Sequence, residues 1–229
     1  MDAAAAGFSE GAVIMPTTQL RDSLDQYAKV WPAGHLRFPA FDRQEEMALL
    51  ESIRSFIALH PNALERECVP GHITGSALVV NPALNKVLLT LHAKLGKWLQ
   101  LGGHADGESD VAASALREAR EESGRDEVEF YPWEKSLGLQ DISKSPLAID
   151  CDIHEIPAHG EHPSHLHYDL RYLCVLDDSL PLHITSESKD LRWLTIDEAL
   201  AVTSELSMLR QFEKLAAIKR LIQNPRVAQ

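Results

Sequence analysis

The sequence predicts an α/β fold that carries a helical extension at its N-terminus. Three observations support this prediction. Two segments near the start repeat apolar residues at helical spacing, several later segments are rich in apolar and β-branched residues, and a central segment runs from a strand through two glycines into an acidic helix. A chain of 229 residues with 45% hydrophobic content can bury a substantial core. We expect a helical extension over residues 1–68 and one α/β domain over residues 69–229.

The extension contains two predicted amphipathic helices, over residues 17–31 and from Phe41 to His60. The second helix places apolar residues along one face at Met47, Leu50, Ile53, Phe56 and Ile57. These faces pack on the core or on a partner subunit, or else they help to bind a substrate. We favour packing, and a homodimer contact is one expected use of them.

The α/β domain begins with a predicted hairpin, whose strands cover Ile73–Val80 and Lys86–His92. Another strand is predicted at Val128–Tyr131, and the aromatic pair that follows, Tyr131 and Trp133, either fills a core edge or stacks on a base. We favour core filling. The chain is then predicted to end with a strand at Leu191–Leu194, a helix at Ile196–Val202 capped by Thr195 or Asp197, and a final helix at Ser207–Ile222.

The charge and cysteine content exclude several kinds of partner and site. A formal net charge of -12 and a pI near 5.3 argue against nucleic acid and anionic membranes, since both require a basic surface. Three widely spaced cysteines, Cys68, Cys151 and Cys174, suggest neither a disulfide framework nor a cysteine zinc site. The start of the sequence lacks a basic segment and a sustained apolar run, so we expect a cytoplasmic protein with no membrane partner.

Most of the recognisable chemistry lies between Trp98 and Arg125. Gly102 and Gly103 follow a strand end and provide backbone freedom where a ligand or another segment approaches closely. Ser109 or Asp110 is expected to cap the helix that follows by accepting a hydrogen bond from its first turn. Gly124 is expected to end that helix in the left-handed conformation.

The predicted helix carries three carboxylates on one flank, beside its buried face, at Glu118, Glu121 and Glu122. Like charges at this spacing repel each other by roughly 0.2–0.5 kcal/mol per pair when exposed. Arg117 can pair with Glu121 one turn away, but it cannot neutralise all three groups. A hard divalent cation with oxygen ligands would do so, and magnesium commonly uses one or two carboxylates together with substrate phosphates.

This segment resembles the box of the Nudix hydrolases, which reads G-x5-E-x7-R-E-U-x-E-E-x-G-U with U a bulky aliphatic residue. Counting from Gly103, the positions in register are Arg117, Glu118, Glu121, Glu122 and Gly124. Ser109 stands where the box has its first glutamate, which usually orients the box arginine, and Glu108 beside it is a candidate for that role. At the two U positions, which are bulky and aliphatic in the box, this chain has Ala119 and Arg125.

The resemblance implies an α/β/α sandwich with a mixed sheet and a metal-dependent pyrophosphohydrolase. It implies that magnesium, with manganese as the alternative, binds to Glu118, Glu121, Glu122 and the carbonyl of Gly102. It also implies a further acidic residue in the loop before a late strand, as metal ligand or general base, and Glu187 is the best match. The expected substrate is a nucleoside diphosphate linked to another moiety, such as a nucleotide sugar, ADP-ribose or a nucleoside triphosphate.

A second polar region runs from Ile149 to Tyr172 and contains five of the eleven histidines, at His154, His159, His162, His165 and His167. On one strand Asp150, Asp152 and His154 share a face, and on the next His165, His167, Asp169 and Arg171 share a face. This face either lies in solvent or lines a pocket. We favour a substrate-binding wall in which Arg171 clamps a phosphate, and a second metal site is the alternative.

Lys97, just before the box strand, is either a phosphate-binding residue or a solvated loop lysine.

Three rival functions remain open. The chain could be a nucleotide-sensing Nudix module without turnover, which the altered first box glutamate permits, or a histidine-based metal-binding protein. A Nudix-fold isomerase of isoprenoid diphosphates is the third, although no cysteine lies beside the box to act as its acid.

Overall fold

A computed structural model of the chain describes residues 17–31, 43–139, 146–158, 160, 163–185 and 188–224. Its helices are α1 (Thr18–Val30), α2 (Arg43–Leu59), α3 (Val111–Ser123), α4 (Trp133–Ser136), α5 (Ile196–Val202) and α6 (Leu206–Gln223). Its strands are β1 (Gly71–Val80), β2 (Lys86–His92), β3 (Trp98–Leu99), β4 (Leu101–His104), β5 (Glu129–Phe130), β6 (Ala148–Ile156), β7 (His165–Val175) and β8 (Ser188–Thr195). Across these ranges, no helix is both long and apolar enough to span a bilayer.

The strands form one mixed sheet with β1 at its centre. Strand β1 pairs antiparallel with β2 and β4 and parallel with β7, while β8 extends the sheet beyond β2. Strands β5 and β6 both pair antiparallel with β7. Helices lie on both sides of the sheet, which confirms the predicted α/β/α sandwich with a mixed sheet, and the predicted hairpin is present as β1 and β2.

Strand β1 is buried along its whole length because helices cover both faces of the sheet. Leu78 and Val80 belong to one apolar cluster, and Ala77 and Val79 belong to a second one. Helix α3 lies very close to the strand at Gly75, where a Cβ atom would stand 2.6 Å from the carbonyl oxygen of Val111. This close approach positions the acidic helix against the centre of the sheet.

The N-terminal helices pack on the same apolar cluster as the sheet, in agreement with the favoured prediction. The ring of Phe56 stacks on that of Tyr168 with centroids 3.8 Å apart, and the indole nitrogen of Trp31 donates to the carbonyl of Ala148 at 3.0 Å. Met47 differs from the prediction for α2, since it is 45% exposed. The domain boundary near residue 68 stays a prediction.

The aromatic residues after β5 fill the core, as favoured from the sequence. Trp133 is 1% exposed, and its ring lies 5.4 Å from that of Trp31 between centroids. Its indole nitrogen donates to the carbonyl of Leu147 at 3.3 Å, so the polar edge of the buried ring is satisfied. Trp133 also begins the short helix α4, which the sequence pattern did not predict.

Helix α3 begins and ends at the predicted signals. Asp110 caps it, since its side chain accepts a hydrogen bond from the amide of Ala113 at 3.1 Å. Gly124 ends it in the left-handed conformation, with φ 63 and ψ 34, and its amide bonds back to the last turn. Ser109, the other predicted cap, instead donates to the side chain of Gln19 in α1 at 3.2 Å.

Replacing Asp110 by Ala should lower the free energy of unfolding by about 1 kcal/mol, because the amide of Ala113 loses its acceptor. The shift should be visible as a lower urea midpoint with an unchanged slope. Asp126→Ala is a matched control, because Asp126 is exposed and lies just outside the helix. Equal midpoints for the two variants would show that this cap does not stabilise the fold.

Candidate active site

The double glycine and α3 together form the centre of the site. A Cβ atom at Gly103 would stand only 2.5 Å from Oε2 of Glu118, so a larger residue would displace this carboxylate. Gly102 has a φ of 153 and its amide donates to Oε2 of Glu122 at 2.9 Å. Gly103 therefore lets β4 approach the acidic face of α3, and Gly102 lets it approach Ser76 of β1.

Arg117 connects the carboxylates of α3 to β4. Its guanidinium donates to Glu118 at 2.7 Å, to Glu121 at 3.5 Å and to the carbonyl of His104 at 3.1 Å. The predicted pair with Glu121 is present, but the shorter contact is to Glu118. Burial alone would lower the pKa of Arg117, but Glu118, Glu121 and Asp106 together hold this pKa above its ordinary value, so the group stays charged.

Glu108, the candidate for orienting Arg117, is used differently in this structure. Its carboxylate accepts a hydrogen bond from the amide of Asp110 at 3.0 Å, next to the helix cap. The contacts of Arg117 to Glu118 and to the carbonyl of His104 instead set its direction. The loss of the first box glutamate is thus offset by groups from α3 and β4.

The three box carboxylates differ in exposure. Glu118 and Glu122 are 9% and 6% exposed, whereas the side chain of Glu121 is 60% exposed. All three line a cleft of about 740 Å³. Other residues of α3, β1, β4, β6, β7 and the loops also line the cleft, among them Arg66, Thr74, Ser76, Lys94, Gln100, Gly102, Gly103, His104, Arg117, His154, His167 and Asp169.

Asp169 forms the floor of this cleft. One of its oxygens accepts hydrogen bonds from Thr74 at 2.9 Å and Ser76 at 2.8 Å. The other accepts from Gln100 at 3.4 Å and from Arg171 at 2.8 Å. With four donors around it, the carboxylate acts as an anchor for neighbouring side chains.

Arg171 lies beneath the floor, outside the residues that line the cleft. Its side chain is 2% exposed and also forms ion pairs with Asp150 and Asp152, each at 3.0 Å. Burial alone would raise the pKa of Asp152, but Arg171 and other neighbours hold this pKa well below its ordinary value. In this geometry Arg171 positions Asp169 rather than reaching a phosphate.

Lys97, another predicted substrate-binding residue, is not among the residues that line the cleft. The ammonium of Lys97 pairs with Glu205 at 2.8 Å, and its side chain is 53% exposed. Glu187, the candidate acidic loop residue, falls outside the residues that the structure describes. His167 and Asp169 do line the cleft, as the predicted substrate wall requires.

A cluster of histidines adjoins the cleft: His104 and His167 line it, whereas His72 and His165 are outside the lining. The ring of His72 lies 4.9 Å from that of His165, 4.8 Å from that of His167 and 4.9 Å from that of His104, between centroids. Burial, together with neighbouring His165 and Arg66, lowers the pKa of His72 to about 4. Burial and nearby histidines lower that of His167 to about 2, so both rings are neutral at neutral pH.

Sequence reasoning missed the polar residues of β1, of which Thr74 and Ser76 line the cleft and His72 belongs to the histidine cluster beside it. His72, Thr74 and Ser76 occupy alternate positions in an otherwise apolar strand, which is a detectable signal for a polar stripe. The parallel register sets His72 beside His167 and Thr74 beside Asp169. The pattern of one strand does not reveal which strand lies next to it.

Comparison with known proteins identifies the family. The sequence model of the NUDIX domain matches residues 72–215. A hydrolase of the NUDIX family from Clostridium perfringens is 25% identical, with 63% of this chain and 96% of that one covered and a TM-score of 0.46. An Ap4A hydrolase from C. elegans is 17% identical, with coverage of 63% and 95% and a TM-score of 0.47.

The NUDIX domain of Shewanella oneidensis NrtR, solved with ADP ribose, is 16% identical, with coverage of 65% and 87% and a TM-score of 0.42. No curated protein sequence matches the chain. The domain match alone spans more than half of the chain and contains the whole box and every residue that lines the cleft except Arg66. The chain therefore belongs to the NUDIX family, which confirms the predicted fold and the prediction of a Nudix-type pyrophosphohydrolase.

Proposed function

We propose that the protein hydrolyses a diphosphate linkage in a nucleoside diphosphate joined to another moiety, in a metal-dependent reaction. The observation that carries this proposal is the cleft of about 740 Å³ in which Glu118, Glu121 and Glu122 converge beside Gly102 and Gly103. A cleft of this volume is within the range of small-molecule sites. An acidic cleft accepts a polyanionic substrate only with a compensating cation.

The residues of the cleft fit a hard divalent cation. Magnesium takes oxygen ligands, and Glu118, Glu121, Glu122 and the Gly102 carbonyl offer them. The missing side chain of Gly103 leaves the space that the Glu118 carboxylate uses. When bound there, magnesium or manganese would offset the charge of the diphosphate and lower the pKa of a water ligand.

The protein's own groups hold these ligands in place. Arg117 fixes Glu118, and the amide of Gly102 fixes Glu122, so neither carboxylate needs to find its direction when substrate binds. The exposed Glu121 is available to accept a proton from the attacking water, and Glu187 is the other candidate for that role.

The remainder of the cleft supplies substrate contacts. Lys94 and Arg66 line it and can contact phosphate oxygens, in place of Lys97, which is outside the lining and pairs with Glu205. His167 belongs to the wall, and Asp169 holds Thr74 and Ser76 with their hydroxyls engaged. We assign Arg171 to positioning Asp169.

Product release from a panel of diphosphate compounds tests this proposal. The panel contains a nucleotide sugar, ADP-ribose, a dinucleoside polyphosphate and a nucleoside triphosphate, each with magnesium and with excess EDTA. We expect turnover of at least one compound class, loss of that turnover in EDTA and recovery when magnesium is restored. Binding without turnover across the panel would instead favour a nucleotide-sensing Nudix module.

The remaining assignments stay predictions. A homodimer is testable by the sedimentation of the full chain, and a cytoplasmic location by fractionation of the source cells. The predicted lack of nucleic-acid and membrane binding follows from the net charge of -12, and co-sedimentation with either partner would contradict it.

A further inference from the structure

We propose that His72, His165 and His167 bind a divalent transition metal, such as zinc, at a site distinct from the box carboxylates. This inference goes beyond the proposed hydrolysis and does not depend on it. A transition-metal site would be a second metal centre, next to the cleft that His167 lines.

The sheet brings these three histidines together. Parallel pairing of β1 with β7 sets His72 directly beside His167, and His165 lies two positions earlier on the same face of β7. One ligand atom from each residue can be chosen so that all lie within 4.8 Å of one another. Zinc–nitrogen bonds of about 2.0–2.1 Å place tetrahedral ligands roughly 3.3 Å apart, so the ring nitrogens must move closer together when the metal binds.

Unsatisfied ring nitrogens are an independent sign of a missing ligand. His72 is 3% exposed, and neither of its ring nitrogens has a hydrogen-bond partner among the described residues. The backbone of Cys68 lies near the His72 ring and raises its pKa, but it does not form a hydrogen bond with either ring nitrogen. The buried Nε2 of His167 is likewise without a partner in the described part of the chain. Buried polar atoms are rarely left unpaired, and a metal would take one nitrogen from each of these rings.

The chemistry of the site selects the metal. Imidazole nitrogens suit zinc, copper, iron and nickel, whereas magnesium prefers oxygen. Burial keeps His72 and His167 neutral, and the neutral ring is the form that coordinates a metal. Arg66 lies nearby, and its positive charge is paired with Asp106, with Nη2 of Arg66 at 2.7 Å from Oδ2 of Asp106.

Two further histidines can complete the site. The ring of His104 lies 4.9 Å from that of His72 and 5.2 Å from that of His167, so it is placed to supply a fourth ligand. His154 lies 5.5 Å from His167 and contacts a carboxylate oxygen of Asp152 at 3.2 Å through Nδ1. Such a contact orients a histidine ring in many metal sites.

Metal binding by the full-length, chelator-stripped protein tests this proposal. We expect one equivalent of Zn²⁺ to bind with high affinity against a chromophoric chelator. Co²⁺ in the same site should give the intense visible absorption of a tetrahedral complex. His165→Ala should weaken Zn²⁺ binding by at least about 100-fold, since the loss of residues that only support metal ligands already costs 10–100-fold.

Two controls separate this site from the box. His60 is a half-buried histidine that packs against Phe56, and His60→Ala should bind Zn²⁺ like the native chain. The double variant Glu118→Gln with Glu122→Gln should also bind Zn²⁺ like the native chain, whether or not turnover persists. His72→Ala should weaken Zn²⁺ binding in the same way as His165→Ala, provided that the variant folds. His165 is only partly buried, so His165→Ala should fold and can test the proposal by itself.

Two results would overturn the inference. In one, the stripped native protein binds no Zn²⁺ above the level of His165→Ala. In the other, Zn²⁺ and Co²⁺ binding survive His165→Ala but disappear in the double glutamate variant, which would place the metal in the box. Neither readout uses turnover, so a failure here is distinguishable from a failure of the proposed hydrolysis.

Discussion

Replacing Glu122 by Gln is expected to reduce kcat by about 10²- to 10⁴-fold on whichever diphosphate compound the native protein hydrolyses. Gln keeps an oxygen that can accept the hydrogen bond from the Gly102 amide, which is 2.9 Å in the native chain, so the local structure should persist. What disappears is the negative charge of a proposed metal ligand. The charge stabilisation supplied by a catalytic metal is worth several kcal/mol, which corresponds to the stated range.

Glu118→Gln should show the same loss, because its new side chain can still accept from Arg117 while its charge is gone. Glu129→Gln, an exposed glutamate on β5, is the matched control and should retain native turnover. The measurements are kcat and KM at several magnesium concentrations, with circular dichroism to verify the fold. Turnover within tenfold of the native value in both box variants would show that these carboxylates do not hold the catalytic metal.

The box helix was predictable because its signals are local. Asp110 and Gly124 mark its two ends, and the apolar spacing between them follows the helical period, so neighbouring residues alone determine it. The same holds for α5, where Thr195 and Glu198 form a reciprocal capping box at the predicted boundary. Exposure was harder to predict, since Met47 fits the pattern of α2 but remains outside the core.

The surroundings of Arg171 were not predictable, because they depend on contacts between distant segments. Strand alternation correctly placed Arg171 on the same face as Asp169. It could not show that Asp150 and Asp152 of β6 would reach the same guanidinium and surround it below the cleft. Lys97 illustrates the same limit, since its partner Glu205 lies far away in the sequence.

Lys214 connects the N-terminal helices to the sheet through a buried polar network. Its side chain is 1% exposed, and its ammonium donates to Tyr27 at 2.7 Å, to Glu46 at 2.7 Å and to Asp150 at 2.6 Å. The hydroxyl of Tyr27 in turn donates to Glu46 at 2.5 Å. One residue of α6 thus contacts both α1 and α2 as well as β6.

Lys214→Met should therefore destabilise the fold by about 3–5 kcal/mol, because Glu46 would keep its burial without its main cation. Asp150 would retain Arg171 and Arg210, so most of the cost should arise at Glu46. Lys86→Met is the matched control. The pair between Lys86 and Asp178 is partly exposed, and its loss should cost less than about 1 kcal/mol.

The loss in Lys214→Met should also depend on pH. Burial raises the pKa of Glu46, and Lys214 is the largest influence that opposes this rise, so the substitution should raise that pKa further. A carboxyl whose pKa is raised in the folded state binds a proton on folding, which favours folding at low pH and is lost as pH rises through that pKa. The deficit in urea midpoint relative to the native chain should therefore be smaller at about pH 5 than at about pH 8. A deficit no larger than that of Lys86→Met, or one that grows as pH falls, would show that Lys214 is not the cation that stabilises Glu46.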